Sequence, residues 1–453
     1  MLSTSPTPSP TTTSFTKLTA MPSPKHYRLL ILFAVVVIDV MGAGLIIPVL
    51  PDLVQHHLGT TTANASVYGA ALLIAYSVMQ FVFSPIIGRL SDRYGRRPVI
   101  LASLAGFSLD YVVMAFAPSY AWLFVGRCVA GITGASMTTA FAYVADISTS
   151  AHRARNFGVI GAAIGLGFIL GPVLGGFLGQ IDLQYPFLAA SGLALVNAVA
   201  AYFFLPESLV TPLRQPSRLA LTNPLGPLLR PALMGLAAAL FCIQMAEQTL
   251  PSTWVYYTKL AFGWGQQQVG WSMGFAGLLI VGVQGVLVRV VVPRWGELAA
   301  ITWGCLAWAV AAFVFPFVVQ VGWVYALMLP YAFGGIVTPS LQALLSQRTD
   351  AAQQGTLQGS LSALTSLTAV VGPLLATGLF SYFAARSAYH FPGAPFVSAG
   401  GLVLAGGLLA WHSLRRHQPS PMAAPVATAT ANATDTTNLA TAPPAEAELD
   451  LVA

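Results

Sequence analysis

Residues 88–97 read Gly-Arg-Leu-Ser-Asp-Arg-Tyr-Gly-Arg-Arg, a short charged stretch between two long apolar runs. Part of this stretch returns later, because residues 93–96 (Arg-Tyr-Gly-Arg) are matched by residues 294–297 (Arg-Trp-Gly-Glu) at an offset of 201. Gly171-Pro172 is repeated as Gly372-Pro373 at the same offset. Two matches at one offset predict that the chain is built from two similar halves.

The composition predicts that most of the chain is embedded in a lipid bilayer. Of its 453 residues, 56% are hydrophobic and only 8% are charged, whereas a soluble domain carries roughly 25% charged residues. The net charge of +6 does not indicate nucleic-acid binding, because the cations lie in short loops and not on one folded face. Three cysteines lie inside apolar runs without metal-ligand spacing, so neither disulfides nor a metal site are predicted: Cys128, Cys242 and Cys305.

Twelve apolar runs are long enough to cross the hydrocarbon core, which takes about 20 residues as a helix. We therefore predict an all-α membrane protein of twelve transmembrane helices. Because six spans separate the repeated motifs, the two halves share one orientation, which is the arrangement of the major facilitator fold. The predicted spans are residues 28–51, 66–88, 98–117, 121–146, 157–179, 185–206, 231–258, 268–292, 298–320, 322–346, 356–384 and 394–413.

These spans divide the chain into an N-terminal half (28–206) and a C-terminal half (231–413), which are joined by a Pro-containing linker (207–230). The N-terminal tail (1–27) and the C-terminal tail (414–453) are rich in Ser, Thr, Ala and Pro. Such segments cannot bury a core, so we predict that both tails are disordered.

Lys and Arg are concentrated on one side of the predicted spans, which we call the arginine-rich side. Because loops rich in Lys and Arg stay in the cytoplasm, we predict a multi-pass protein of the cell membrane with both termini cytoplasmic. The opposite side carries only Lys259 and Arg386. The cations of the arginine-rich side are Lys17, Lys25, Arg28, Arg89, Arg93, Arg96, Arg97, Arg153, Arg155, Arg214, Arg218, Arg230, Arg289, Arg294, Arg348, Arg415 and Arg416.

The loop 88–97 resembles the signature loop of the major facilitator superfamily. Its glycines permit a tight turn, and Asp92 can cap a helix or pair with an arginine across the interface between the halves. A generic positively charged loop is the alternative interpretation. The resemblance predicts a gate on the cytoplasmic side that is formed by Gly88, Asp92, Arg93, Gly95, Arg96 and Arg97.

The fifth span carries small residues at a spacing that lets two helices approach closely. Pro172 removes a backbone hydrogen bond and kinks the helix. Close packing alone would account for this pattern, but the full pattern also resembles the motif of antiporters within the superfamily. The motif residues are Gly167, Gly171, Pro172, Gly175 and Gly176.

A closer resemblance, over about residues 28–380, is to tetracycline/proton antiporters. It is carried mainly by residues 39–51 of the first span. Shorter matches lie at residues 108–111, 131–135, 262–264, 334–336 and 357–359. The resemblance implies a twelve-span drug:proton antiporter that confers antibiotic resistance.

Three acids lie inside the predicted spans away from their ends, namely Asp39, Asp110 and Glu247, and Arg127 is the sole intramembrane cation. A charge in mid-membrane costs about 2.5–3.5 kcal/mol on insertion scales, so these side chains need a reason to be there. We predict that all four couple transport to protons. A purely structural role, such as a bond from Asp39 to the backbone or to Arg127, is the alternative.

The sequence departs from the tetracycline exporters in the ninth span, where they carry an essential aspartate. The matching position here falls near Trp308, and residues 301–313 contain no acid. One hypothesis is that Glu247 of the seventh span takes over the coupling role. The other is that the substrate has changed and tetracycline is no longer carried.

Aromatic and amide side chains near the second-half pathway would suit a flat amphipathic compound. Trp254 and Gln284 are matched in the exporters, and Thr133 lies in the matched segment 131–135. With Gln248, they are the predicted substrate-binding residues. Interfacial aromatics that anchor the helices in the bilayer are the alternative for Tyr256 and Tyr257.

We therefore predict proton-coupled efflux of a small, tetracycline-like amphipathic drug by alternating access. The alternative within transport is export of another drug or of an endogenous metabolite. No cofactor is predicted, and no phosphate-binding loop is present, so an ion gradient must supply the energy. The chain lacks a His-Glu-x-x-His motif, which argues against a metalloenzyme, and its coupling acids argue against a non-transporting receptor. The superfamily analogy implies a monomer whose partners are drug, protons and lipid.

Overall fold

The computed structural model describes residues 24–134, 136–148, 152–209, 225–350, 353–386 and 390–416. The regular elements of these residues are helices, sixteen of them α-helical. They are α1 (Pro24–Ile46), α2 (Leu50–Leu58), α3 (Thr62–Tyr94), α4 (Arg96–Ala115), α5 (Tyr120–Gly134), α6 (Ser136–Ile147), α7 (Arg153–Ile181), α8 (Tyr185–Phe204), α9 (Pro231–Glu247), α10 (Thr249–Phe262), α11 (Gln266–Gly282), α12 (Val288–Val314), α13 (Val321–Phe333), α14 (Val337–Gln347), α15 (Gln354–Ser381) and α16 (Ala394–Arg416). Short 3₁₀ helices (Gly226–Leu229, Phe315–Phe317, Gly334–Ile336) and π-helical turns (Val283–Leu287, Tyr382–Arg386) connect or extend them.

Eleven helical stretches of the described residues are long and apolar enough to cross a membrane. One of them, Gln266–Phe317, has 52 residues and would be about 78 Å long as one helix, whereas the hydrocarbon core is about 30 Å thick. This stretch bends at Gly296, where φ is 77° and ψ is 161°. It therefore forms two spans, and the prediction of twelve spans in an all-α fold is confirmed.

The spans, numbered 1 to 12 in chain order, are not all continuous helices. Spans 1, 4, 7 and 10 each consist of two helices in succession, which are α1–α2, α5–α6, α9–α10 and α13–α14. Span 8 is α11 with the start of α12, and span 9 is the rest of α12. The remaining spans (2, 3, 5, 6, 11 and 12) are α3, α4, α7, α8, α15 and α16.

The ends of the helices differ slightly from the predicted boundaries. Helix α1 begins at Pro24 and α16 ends at Arg416, so both run a few residues into the predicted tails. Residues 225–230 of the predicted linker contain a 3₁₀ turn, in which Leu228 is buried. The rest of the tails and residues 210–224 of the linker lie outside the described residues.

The internal repeat is visible in the geometry of the two arginine-rich loops. Gly95 (φ 103°, ψ 157°) and Gly296 (φ 77°, ψ 161°) adopt the same positive-φ turn, a conformation that glycine reaches at little cost. A polar contact recurs at the same offset, although its chemistry changes. Arg96 Nε donates to Asp146 Oδ2 over 3.1 Å in the first half, and Gln347 Nε2 donates to Glu297 Oε1 over 3.0 Å in the second.

The halves touch along spans 5 and 8 and along spans 2 and 11. Spans 5 and 8 meet toward the opposite side. A Cβ built on Gly176 would lie 2.4 Å from the carbonyl oxygen of Gln266, and the contact continues inward to Gly165, which faces Val281. Nearer the arginine-rich side, a Cβ built on Gly161 or Gly282 would meet nothing within 4 Å beyond its own helix. This conformation is therefore closed on the opposite side and open toward the arginine-rich side.

Candidate functional site

A buried ion pair joins spans 3 and 4 in the first half. Arg127 Nη2 lies 3.5 Å from Asp110 Oδ2, and only 1% of the Asp110 side chain is exposed. Arg127 Nη2 also lies 2.9 Å from the sulfur of Met114. Gly126 makes room for the pair, because a Cβ there would lie 3.0 Å from Asp110 Oδ1. The structure thus brings together two of the four residues that we predict to couple protons.

Asp39 of span 1 is half-buried beside this pair, and no hydrogen bond or ion pair to it is found among the described residues. It borders a very small cavity whose other lining residues are apolar and come from spans 1, 3 and 4: Val35, Val36, Ile100, Leu104, Met137 and Ala140. The alternative in which Asp39 is bonded to Arg127 is not what this conformation shows, since Arg127 pairs with Asp110.

Glu247, the fourth predicted residue, lies apart from the others in the second half. It is the last residue of α9, and its Oε1 accepts a 2.6 Å hydrogen bond from Thr338 Oγ1 of span 10. Trp308, which stands where the resemblance placed an acid, is buried against Gly334 and packs edge-on to Tyr331 with ring centroids 5.5 Å apart. Glu247 is thus bonded to span 10, the same span whose Gly334 and Tyr331 pack against Trp308.

A cavity of about 160 Å³ lies between the two halves. Its first-half lining comes from spans 1, 2 and 5, and its second-half lining from spans 7 and 11. The lining residues include no charged side chain: Ile47, Leu50, Pro51, Leu73, Ser77, Phe168, Gln248, Pro251, Ser252, Val255, Tyr256, Ala369 and Pro373. A mostly apolar wall with a few polar groups suits an amphipathic small molecule.

Of the four predicted substrate-binding residues, the structure places only Gln248 in the wall of this cavity. Gln284 is exposed within the π-helical turn of span 8 on the open side. Thr133 packs on Gly106, and its hydroxyl donates to the carbonyl of Val129 in its own helix. Trp254 is fully buried among aromatic rings of the second half and donates to Ser272 Oγ over 2.9 Å.

Tyr256 was a less favoured candidate in the sequence, yet it lines the cavity and is 5% exposed. Its hydroxyl reaches span 2, where a Cβ built on Gly69 would overlap it. The interfacial-anchor interpretation therefore fails for Tyr256. The sequence could not separate the two cases, because membrane anchors and pathway aromatics have the same residue type.

The predicted gating loop is ordered by contacts inside the first half. Asp92 pairs with Arg96, four residues on, at 2.6 Å, and not with an arginine of the second half. Arg93 lies over the ring of Tyr94 and Arg97 over that of Tyr202. In this conformation, the ion pairs found for the loop among the described residues are made within the first half.

Glu207, which follows span 6, is part of this loop's support and was missed in the sequence. Its carboxylate accepts hydrogen bonds from the backbone N–H groups of Arg96 (2.9 Å) and Arg97 (3.1 Å), which begin α4. An acid at a helix N-terminus compensates for unpaired N–H groups and favours the helix dipole. A Cβ on Gly95 would lie 2.5 Å from Glu207 Oε2, so that glycine is required both by its φ and by this contact. The sequence feature that could have identified Glu207 is its position, because it is an acid that follows an apolar run directly on the arginine-rich side.

The glycine motif of span 5 serves two different neighbours. Built Cβ atoms on Gly167, Gly171 and Gly175 would collide with the backbone of span 1, in the same half, at 2.1–2.8 Å. Gly176 instead faces span 8, and a Cβ on Gly270 of that span would lie 2.4 Å from the carbonyl oxygen of Pro172. The predicted motif is thus a spacer both within one half and between the halves.

On the opposite side, an ion pair connects the halves. Asp52 of α2 pairs with Lys259 of α10, and its second oxygen accepts a 2.8 Å hydrogen bond from Gln266 Nε2 of α11. We call these three residues the outer latch. Both contacts join the two halves, so both must break before the pathway can open to that side.

Weakening the outer latch should expose the cavity to the opposite side. We expect Asp52→Asn to increase the labelling of a Ser252→Cys reporter by an impermeant maleimide added from that side. A half-exposed ion pair contributes up to about 1 kcal/mol, so the increase should be at most about fivefold. Exchanging the two charges, with Asp52→Lys and Lys259→Asp together, should return labelling toward that of the reporter alone. Unchanged labelling in Asp52→Asn would contradict a role of the latch in closure.

Comparisons with known proteins agree with this geometry. The profile of the Major Facilitator Superfamily matches residues 32–362. The tetracycline resistance protein of class C from Escherichia coli is 41% identical over 358 residues, which cover 78% of this chain and 89% of that protein. The class B protein from Escherichia coli is 36% identical over 356 residues, with 78% and 88% coverage.

Among solved structures, the human organic anion transporter MFSD10 superimposes with a TM-score of 0.65 at 26% identity. The match covers 86% of this chain and 100% of that one. Family membership and fold likeness therefore extend over both halves.

Proposed function

The chain belongs to the major facilitator superfamily, and from this membership and its likeness to tetracycline resistance proteins we propose that it exports a small amphipathic, tetracycline-like drug in exchange for protons. The observation that carries the proposal is the sequence identity of 35–41% to tetracycline resistance proteins of several classes over most of the chain. The uncharged cavity between the halves is consistent with such a substrate.

The first-half acids are the groups best placed to carry the proton. Asp39 is half-buried without a bonded partner among the described residues, and Asp110 is held by Arg127 nearby. A carboxyl whose access alternates between the two sides can take up a proton on one side and release it on the other. In this proposal Asp39 exchanges the proton, and the Asp110–Arg127 pair adjusts its affinity.

Alternating access would proceed by rocking of the halves about the contact of spans 5 and 8. The present conformation receives drug from the arginine-rich side, which we assign to the cytoplasm from its excess of Arg and Lys. Opening of the outer latch would release the drug on the other side. The loop 88–97 would meet the second half only when the arginine-rich side closes.

Drug susceptibility in a pump-deficient bacterial host tests the proposal. We expect the chain to raise tetracycline resistance and Asp39→Asn to remove it, because the mutant cannot exchange the coupling proton. Glu247→Gln should weaken proton-driven uptake into everted vesicles if Glu247 replaces the missing span-nine acid. Both variants must reach the membrane in normal amounts, as measured by immunoblotting.

The presence of Trp308 at the position of the acid supports a second candidate, efflux of another drug or of an endogenous metabolite. Sensitivity to tetracycline together with resistance to another compound, for protein shown to be in the membrane, would select it. A host that remains sensitive to every compound of the panel would contradict drug efflux.

A further inference from the structure

The cavity between the halves lies at two equivalent helix breaks. Span 1 is interrupted between Ile46 and Leu50, and span 7 is interrupted at Gln248, between Glu247 and Thr249. The lining residues of these spans correspond at the repeat offset of 201, since Ile47, Leu50 and Pro51 match Gln248, Pro251 and Ser252. Interrupted helices at corresponding positions of two repeats characterise substrate sites in transporters.

The two breaks differ in charge. Glu247 ends α9 directly before the lining residue Gln248, whereas its counterpart before the first break is Ile46. Glu247 is half-buried, and its one recorded bond is the hydrogen bond from Thr338. Within the described second half, no Lys or Arg forms an ion pair with it, unlike Asp110 with Arg127. Beyond this hydrogen bond, a carboxylate at this depth needs a proton or a cation from outside to balance its charge.

Span 10, which is hydrogen-bonded to this carboxylate through Thr338, also carries the aromatic residue Tyr331. Tyr331 lies in α13, and Thr338 lies in α14, directly after the 3₁₀ turn Gly334–Ile336. The Tyr331 ring packs edge-on against Trp308 of span 9, with ring centroids 5.5 Å apart. Aromatic faces beside a carboxylate form a favourable environment for an organic ammonium group. An inorganic cation would instead require several oxygen ligands, and the described residues contain no cluster of acids and histidines of that kind.

We propose that Glu247 is the subsite for a protonated amine of the exported drug, so that this drug is an amphipathic cation or zwitterion. The inference rests on the proposed efflux function and refines its substrate class. The drug's ring system would lie against the apolar cavity wall and its ammonium group against Glu247 and Tyr331. Because one carboxylate cannot hold a proton and pair with an ammonium group at once, drug and proton exclude each other at this residue.

Equilibrium binding to the purified full-length protein in lipid nanodiscs tests the subsite. The ligands are tetracycline, which carries a dimethylammonium group, its analogue without the dimethylamino group, and ethidium, a flat aromatic cation. We expect Glu247→Gln to weaken the binding of tetracycline and of ethidium roughly ten- to a hundredfold, which is the range for losing a charge-assisted contact. Binding of the analogue should change little. Glu247→Asp should retain the preference for the charged ligands, and Glu297→Gln, which removes a carboxylate outside the spans, is the matched control.

The ligands separate failure of this inference from failure of tetracycline efflux. If the parent protein does not bind tetracycline but binds ethidium in a manner that depends on Glu247, tetracycline export is wrong and the ammonium subsite is supported. The subsite is overturned, while efflux can stand, if Glu247→Gln binds tetracycline and ethidium as the parent does. It is also overturned if this substitution weakens binding of the analogue without the dimethylamino group equally. A parent protein that binds neither cation also overturns it.

Discussion

Replacing Gly176 with valine is expected to abolish transport while the protein remains folded and inserted in the membrane. A Cβ at this position would lie 2.4 Å from the carbonyl oxygen of Gln266 and 3.1 Å from Cα of Gly270, both in span 8 of the other half. The overlap exists only when the opposite side is closed. Overpacking of this kind costs about 1–3 kcal/mol, which shifts an equilibrium between two conformations by about 5- to 150-fold. The variant should therefore rest with its opposite side open.

The adjacent glycine is a matched control for this prediction. Gly175 faces Leu45 of span 1, with a built Cβ 2.1 Å from its carbonyl oxygen, so both residues in contact belong to the first half. Gly175→Val should therefore lower the thermal stability of the purified protein, whereas Gly176→Val should not. Maleimide labelling of Ser252→Cys from the opposite side should rise only in Gly176→Val. Equal destabilisation by both variants, with no change in labelling, would contradict the assignment of Gly176 to the moving interface.

Replacing Arg127 with leucine is expected to lower the stability of the protein by about 3–5 kcal/mol. This is the range for removing one partner of a buried ion pair, because the other charge is left without compensation. Among the residues that the structure describes, Arg127 is the cation that pairs with Asp110, whose side chain is 1% exposed. Thermal unfolding of the purified variant measures the loss, and uptake into everted vesicles should show that proton-coupled transport is lost as well.

A second substitution separates the structural role of this pair from its role in coupling. Asp110→Asn in the Arg127→Leu background removes the unpaired carboxylate and should recover much of the lost stability. Proton-coupled transport should not return, because both partners of the pair are then absent. A double variant that transports drug against its gradient at the rate of the parent would show that the pair is structural only.

Much of the fold was predictable because it depends on local properties of the sequence. The number of spans follows from the lengths of apolar runs, and the two halves follow from the Gly95 and Gly296 loops, whose glycines share one backbone conformation. The separation of spans 9 and 10 is also confirmed, since the chain turns between Phe317 and Val321. The ends of α1 and α16 were less predictable, because helices extend beyond the hydrocarbon core into polar sequence.

The residue types of the candidate site were predictable from the sequence, but which of these residues lie close together was not. The intramembrane acids and Arg127 could be found because isolated charges are rare in apolar runs. Gln248 lines the cavity between the halves, and its role in substrate binding stays a prediction. Trp254 could not be assigned, since an aromatic side chain in span 7 can face either the pathway or the core of its half, and it is fully buried in that core.

The sequence by itself determined that the chain lies in a lipid bilayer, how many spans it has, that its halves repeat and that charges are buried in it. These features could be read because hydropathy and charge are properties of individual segments. Only the tertiary structure decided which charges pair, that Gly175 and Gly176 serve different halves, and that Asp52 meets Lys259 and Gln266. The physical reason is that these contacts join segments far apart in the chain. Their distances depend on how the helices rotate and pack against one another, which no local pattern of residues encodes.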